Sequence, residues 1–395
     1  MNRLSPARTL LLTLLLLLAV PTGTWAIKIV HGPYLQNVYQ TEATIVWQSD
    51  KPSVGWVEIA PDDGTTYYAQ ARTKYYDTHI GIKRTSELHA VRLTGLRPGT
   101  RYRYRVYAKE VLRHEGNWVG YGRVAATDVF QHKPLSFVTL DANKQETSFV
   151  MLNDVHGRHD MITPLLQKAD YKHRDVILYN GDMISITNST DDYFTGFMDE
   201  SIKLFASERC IYYVRGNHET RGEAATAFQD YFNPRQPHLY FSFRQGPVYF
   251  ICLDTGEDKP DDDIEYAGIT DYDNYRSEQA AWLKTLPSDP LYQSARWRIV
   301  VAHMPTIDDP SSWHGQMDCL KKFTPVLNSM DIDLMVCGHM HEDMYREPNQ
   351  TVHYPVLVNS NRGILEAETE GNQLRVKVTR LDGKTVNART YQARR

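Results

Sequence analysis

Cysteine is scarce, with four residues in a chain of 395. Cys210, Cys252, Cys319 and Cys337 lie far apart and show no paired zinc spacing, which excludes a zinc-finger framework. An even count permits two disulfides in three connectivities, but a chain this long can bury a core without staples, so buried free thiols are expected. A cationic excess is also missing. Forty-four basic against 48 acidic residues give a net charge of −4, so there is no electrostatic footprint for duplex nucleic acid, and an anionic substrate must be held locally. Beyond the N-terminal leader no internal repeat or low-complexity segment occurs. With 42% hydrophobic and 23% charged residues, disorder, collagen and coiled coil are excluded, and the length points to two or three domains.

Long apolar runs are absent apart from one near the N-terminus. Arg3 and Arg8 precede a mostly apolar run at 10–20, followed by Pro21, Gly23 and the small residues Thr24 and Ala26. The run is shorter than the ~18 residues a spanning helix needs. It reads as a signal peptide, 1–26, cleaved after Ala26, giving a secreted or periplasmic protein with no stable membrane anchor. No cysteine follows the run, so lipid attachment is not indicated.

From 27 to 140 the chain reads as short strands, at 43–48 around Trp47, 55–60, 88–93, 101–108 and 136–140, punctuated by Asp62-Asp63-Gly64 and Pro98-Gly99. Strict alternation after Pro98-Gly99 places Tyr102, Tyr104 and Val106 inward and Arg101, Arg103 and Arg105 on a solvated face. The stretch resembles the turn-to-strand corner of a fibronectin type III sandwich, with Trp47 as its core tryptophan. A polar linker, 141–147, follows.

The remainder, 148–395, alternates apolar strands with helical segments. Strands are expected at 148–152, 176–179, 210–214, 248–253, 297–301 and 334–337, and helices near 163–169, 193–205, 223–232, 278–286 and 319–330. Strand-like alternation returns at 363–393. The fold class is therefore an all-β sandwich followed by an α/β domain.

Polar residues of ligand type stand directly after five of the apolar strands, where open α/β sheets place their sites. They are Asp154-Val155-His156, Asn180-Gly181-Asp182, Gly216-Asn217-His218-Glu219, His303, and Gly338-His339-Met340-His341. Each alone is weak; five in this order are not. Imidazole and carboxylate together suit Zn, Fe or Mn, and two such ions about 3.5 to 4 Å apart form a clamp for phosphoryl transfer.

The series resembles the calcineurin-like metallophosphoesterase superfamily, in which two sheets are flanked by helices. That resemblance implies two divalent or trivalent transition metals, Fe, Mn or Zn. Asp154, His156 and His341 would hold one, Asn217, His303 and His339 the other, and Asp182 would bridge them. A metal-bridging hydroxide would attack phosphorus in line, and His218 would protonate the leaving oxygen or stabilise charge. A fibronectin-like sandwich ahead of such a domain resembles the layout of purple acid phosphatases. Two residues depart from that family's pattern, which has Asp-x-Gly in the first motif and a tyrosine three residues after the bridging aspartate. Here His156 and Ser185 stand instead, so no tyrosinate colour is implied. Protein Ser/Thr phosphatases place an aspartate at the Ser185 position to pair the catalytic histidine, so which residue orients His218 is left open, with Glu219 as one candidate.

Candidates for gripping substrate are Arg158, His159, Arg221, His314 and Arg362, since the arginine fork binds two phosphate oxygens at once. Asp261-Asp262-Asp263 lacks the calcium-loop pattern and reads as a solvated loop. Asn188 and Asn349 begin glycan-acceptor tripeptides. The expected activity is hydrolysis of small phosphomonoesters. Phosphodiester hydrolysis on the same core is the alternative, and a non-catalytic extracellular binding protein on a phosphatase scaffold is the alternative of another class. The intact ligand set counts against the last.

Overall fold

The computed structural model describes residues 25–232 and 237–395. Apart from Trp25 and Ala26, the expected signal peptide lies outside the described residues.

In the N-terminal part, Glu42–Pro61 is one strand of 20 residues, not the two read from the sequence. Lys51-Pro52 looks like a turn, but the backbone only kinks there. Its first half pairs with Ile29–Gln36 and Ser86–Thr94, and its second half pairs with Arg101–Glu115. Pro52 sits in the bend, where no ladder bond needs its missing N–H. One strand thus serves both layers of the sandwich, and Trp47, Val57, Val91, Tyr104 and Val106 are buried together in its core. The arginine stripe is not a solvated face. Arg103 is buried under the turn at 61–65, donating to the carbonyls of Pro61 (2.8 Å) and Thr65 (2.6 Å) and to Asp63, while Arg105 stacks 4.8 Å from the Tyr107 ring. Only Arg101 is exposed.

The sandwich also holds a Ser–His–Asp chain. His89 Nε2 lies 2.7 Å from Ser53 Oγ, and His89 Nδ1 lies 2.9 Å from Asp77 Oδ2. All three residues are buried, with the His89 ring packed on Trp47. Without access for a substrate, the chain satisfies buried polar groups instead of performing nucleophilic chemistry.

The second part stacks two six-stranded sheets. Near-continuous runs of valine, isoleucine and leucine give strands buried on both faces, as parallel sheets require. Ser148–Leu152, Val176–Asn180 and Ile211–Val214 run parallel in the first sheet. Val248–Leu253, Trp297–Ala302, Leu334–Cys337 and Val356–Val358 run parallel in the second. Inner faces meet through Phe149, Met151, Leu178, Phe250, Ile299 and Val336. Outer faces are covered by helices, Ile162–Lys168 and the 191–206 segment on the first sheet and Tyr272–Leu283 and His314–Leu327 on the second. The chain returns at Gly363–Glu370 to pair antiparallel with Ser148–Leu152 and extend the first sheet.

The helices start earlier than the sequence pattern indicates at 272 and 314, and the helix expected at 223–232 is reduced to short turns, Ala225–Ala227 and Phe228–Tyr231. Segment 191–206 carries two π-helical turns, Phe194–Met198 and Ile202–Ala206. Against it docks the sandwich, with the His31 ring stacked 3.9 Å from Phe194 and its Nδ1 2.8 Å from Asp199. Asp261, expected in a solvated loop, accepts from the N–H groups of Tyr272 and Asp273 and so caps a helix. All four cysteines are buried free thiols, and no helix among the described residues is long and apolar enough to cross a membrane.

Candidate metal centre

Because the parallel strands of both sheets point the same way, the loops after them emerge at one edge. The first sheet delivers Asp154, His156, Asp182 and Asn217 there, and the second delivers His303, His339 and His341. Two groups of side chains able to hold a metal ion result, Asp154, His156, Asp182 and His341 in one, Asp182, His303 and His339 in the other. Within each group the ligand atoms lie within 4.8 Å of one another, and Asp182 is common to both. Asn217 Oδ1, 3.0 Å from His339 Nδ1, faces the second group.

The local backbone is bent to make this possible. Among the described residues ten non-glycine residues have positive φ, and five of them are Asp154, His156, Asp182, His339 and His341. Such conformations cost about 1–3 kcal/mol each and cluster where function demands them. Two motif glycines provide room. A Cβ on Gly216 would lie 2.2 Å from Asp182 Oδ1, and one on Gly338 would lie 2.6 Å from Asp154 Oδ2.

Each oxygen ligand is held from behind. Asp154 Oδ2 accepts from the His339 N–H at 3.0 Å, and Asp182 Oδ1 accepts from the His218 N–H at 3.0 Å. Asn217 donates its amide to Asp258 Oδ2 at 3.3 Å, which turns its carbonyl oxygen toward His339. His303 Nδ1 donates to the Asn180 carbonyl at 2.8 Å, so its Nε2 faces Asp182 Oδ2 at 3.1 Å. This fixed tautomer is the usual support of a metal-ligating histidine.

Two buried atoms test whether a cation suits the place. Asp154 Oδ1 and His303 Nε2 are both buried without a well-aligned hydrogen bond; each has only an ion-pairing neighbour at 3.1 Å, His341 Nε2 and Asp182 Oδ2 respectively, and buried polar atoms so poorly paired are costly unless something fills their lone pairs. His156 Nε2 and His341 Nε2 approach to 3.0 Å, close enough for both to ligate one cation. Burial pushes His156 and His339 down to about 4, keeping them neutral as ligation requires. Burial also opposes charge on His303, but the neighbouring Asp182 carboxylate holds that imidazole up at about 10. Carboxylate, amide oxygen and imidazole donors together fit transition-metal cations.

His218 stands at the edge of this cluster, with Nε2 3.8 Å from Asp182 Oδ2. Its Nδ1 donates to the Ser185 carbonyl at 2.8 Å, so backbone, not Glu219, orients the ring. Glu219 faces the other way. Its fully buried carboxylate accepts from the N–H groups of Asp182 (2.9 Å), Met183 (2.7 Å) and Gly216 (2.8 Å) and from the Tyr213 hydroxyl (2.9 Å). It clamps the loop that carries Asp182. The spacing did hold a signal, since an acid three residues after Gly216 at a helical turn can bond back to the Gly216 N–H, as in a capping box.

The expected substrate-gripping residues are mostly committed elsewhere. Arg158 donates to the carbonyls of Val155, Asp154 and Asn361. Arg221 forks onto Glu257 with two bonds of 2.9 Å, its Nη1 3.4 Å from His218 Nε2. His314 pairs with Asp273 at 2.9 Å. His159 and Arg362 are exposed. Residues that sequence reasoning missed are Asn153, Glu257, Asp258 and Asn359, together with the Ser185 carbonyl.

Residues 147–343 match the profile of the calcineurin-like phosphoesterases. The chain carries the domain of that family. Residues 31–131 match the N-terminal domain of purple acid phosphatases. Among curated relatives, Purple acid phosphatase 15 of Arabidopsis thaliana is 22% identical over 295 residues, 68% of this chain and 50% of that one. Purple acid phosphatase 23 of the same plant is 25% identical over 152 residues, 36% of this chain and 30% of that one. The chain thus spans half or less of the length of these curated relatives. Among solved structures, a 5'-nucleotidase from Candida albicans shares 14% identity at a TM-score of 0.35, covering 64% of this chain and 52% of that one. TT1561 of Thermus thermophilus shares 13% at 0.36, covering 63% and 99%. Scores this low add nothing to the fold or the chemistry.

Proposed function

We propose that this chain is an exported, metal-dependent hydrolase of small phosphomonoesters. The observation that carries the reading is the convergence of two groups of carboxylate and imidazole ligand atoms on a shared Asp182, among them the buried and poorly aligned Asp154 Oδ1 and His303 Nε2. Asp154, His156 and His341 would hold one cation and Asn217, His303 and His339 the other, with Asp182 common to both. When bound, such cations supply Lewis-acid charge to phosphoryl oxygens and lower the pKa of an attacking water. The protein's own part is positioning and proton supply. His218, anchored through Nδ1 on the Ser185 carbonyl, presents Nε2 to the cleft, from which its protonated form delivers a proton to the leaving oxygen. Arg221 is neutralised by Glu257 and steadies the His218 ring instead of gripping phosphate. Export rests on the leader at 1–26, and the division into a sandwich at 27–140 and a catalytic domain at 148–395 belongs to the same reading.

Phosphodiesters are the second reading, favoured by one observation. Arg158 and Arg221 are both engaged internally, which leaves fewer cations for a terminal dianionic phosphate. The experiment compares p-nitrophenyl phosphate with bis-p-nitrophenyl phosphate after loading with Mn, Zn or Fe. A higher kcat/KM on the monoester supports the proposal, a higher value on the diester supports the second reading, and hydrolysis of neither with any metal refutes both.

A further inference from the structure

We propose that Asn153 and Asn359 form a paired positioning device that selects which carboxylate oxygen of Asp154 is offered to the metal centre, an inference that rests on the metallohydrolase reading above. Asn153 directly follows the strand Ser148–Leu152, and Asn359 follows Val356–Val358 in the other sheet. Both are buried. Asn359 donates its amide to Asn153 Oδ1 at 2.6 Å and to the Gly363 carbonyl at 3.1 Å. Asn153 donates in return to the Asn359 carbonyl at 2.9 Å and to Asp154 Oδ2 at 2.6 Å.

The polarity of this chain is fixed. A donor faces Asn153 Oδ1, so Asn153 can turn only its Nδ2 toward Asp154. Asp154 Oδ2 then carries two donors, Asn153 Nδ2 and the His339 N–H. Oδ1 carries no amide or backbone donor, is buried, and faces only imidazoles, 3.1 Å from His341 Nε2 and 3.8 Å from His156 Nε2. An oxygen saturated by fixed amide donors is a poor ligand, and a desolvated one that faces only imidazole nitrogens, themselves able to ligate, is a strong one, so the amide pair makes the carboxylate monodentate and aims it. Because the two asparagines come from different sheets, the device also ties Asp154 to the frame that carries His339 and His341. Gly338 keeps the space clear, since a Cβ there would meet both Asp154 Oδ2 and Asn153 Nδ2.

The test titrates the metal-free full chain with Mn(II), following free ion by electron paramagnetic resonance, for the wild type, Asn153→Ala, Asn359→Ala and the double variant. Loss of a supporting partner typically weakens metal binding about 10- to 100-fold. Asn153→Ala is expected to weaken one of two sites by that factor and leave the other near wild type, with excess Mn(II) restoring turnover. Asn359→Ala, acting through Asn153, should weaken the same site less, and the double variant should be no worse than Asn153→Ala, the non-additivity of a single chain of action. Should Asn153→Ala not fold, Asn359→Ala carries the comparison alone. Wild-type affinity at both sites in the variants, or a loss confined to thermal stability, overturns the inference. A wild-type chain that takes up no Mn(II), Zn(II) or Fe(II) instead refutes the metallohydrolase reading itself.

Discussion

Glu219→Gln is the perturbation that separates the two roles this residue can have. Its Oε2 accepts from the N–H groups of Asp182 and Gly216, and its Oε1 from those of Met183 and Ile184 and from the Tyr213 hydroxyl. Glutamine keeps the shape but replaces one oxygen with a donor. In its better orientation the amide nitrogen meets the Asp182 and Gly216 N–H groups and leaves both unpaired. At about 1–3 kcal/mol for each buried donor stranded, the cost is about 2–6 kcal/mol. For a domain of this size that lowers the melting temperature by about 4 °C or more. The displaced loop carries Asp182, so metal content should fall with stability. Differential scanning calorimetry of the metal-free chain and metal analysis of the loaded chain measure the two effects. A variant with wild-type melting and full metal content, slowed only on esters with poor leaving groups, would show that Glu219 acts on His218 after all.

Three further outcomes are expected. Gly216→Ala places a methyl group 2.2 Å from Asp182 Oδ1, so it should abolish stable metal uptake and turnover while the sandwich still folds; metal analysis showing wild-type uptake refutes this. His218→Ala should retain its metals but lose about 10²- to 10⁴-fold in kcat on alkyl phosphates, with a smaller loss on p-nitrophenyl phosphate, whose leaving group needs no proton. Equal losses on both esters would assign His218 to charge stabilisation. The iron-loaded chain should lack a tyrosinate absorption band, because the Tyr179 hydroxyl is bonded to Ser201 and that of Tyr213 to Glu219; a visible band that disappears in Tyr179→Phe or Tyr213→Phe would contradict it.

What could be read from the sequence follows from how local each cause is. The parallel strands are legible because burial on both faces demands uninterrupted apolar runs such as Val248–Leu253, and the ligand motifs because they abut those runs. Glu42–Pro61 is misread as two strands because Lys51-Pro52 has the chemistry of a turn, whereas pairing on both sides carries the backbone through it. Arg103 is expected in solvent because alternation describes the strand and not the 61–65 turn that folds over it. Arg158 and Arg221 have the right chemistry for phosphate, but their partners are set by tertiary packing. Asn153 and Asn359 are 206 residues apart, and no local pattern links them.

The return of the chain at Gly363–Glu370 also governs when the centre can exist. Phe149 finds its antiparallel partner in Ala367, more than half the chain downstream, and the other candidate ligands arrive in between from two different sheets. During synthesis the first loop, with Asp154 and His156, emerges long before His339 and His341, and its strand still lacks one neighbour. Such non-local closure is slow and comes late in folding. A partly made or unfolded chain therefore offers only scattered histidines and carboxylates to passing metal ions, and under the proposed function selective capture is deferred until the whole α/β part has closed.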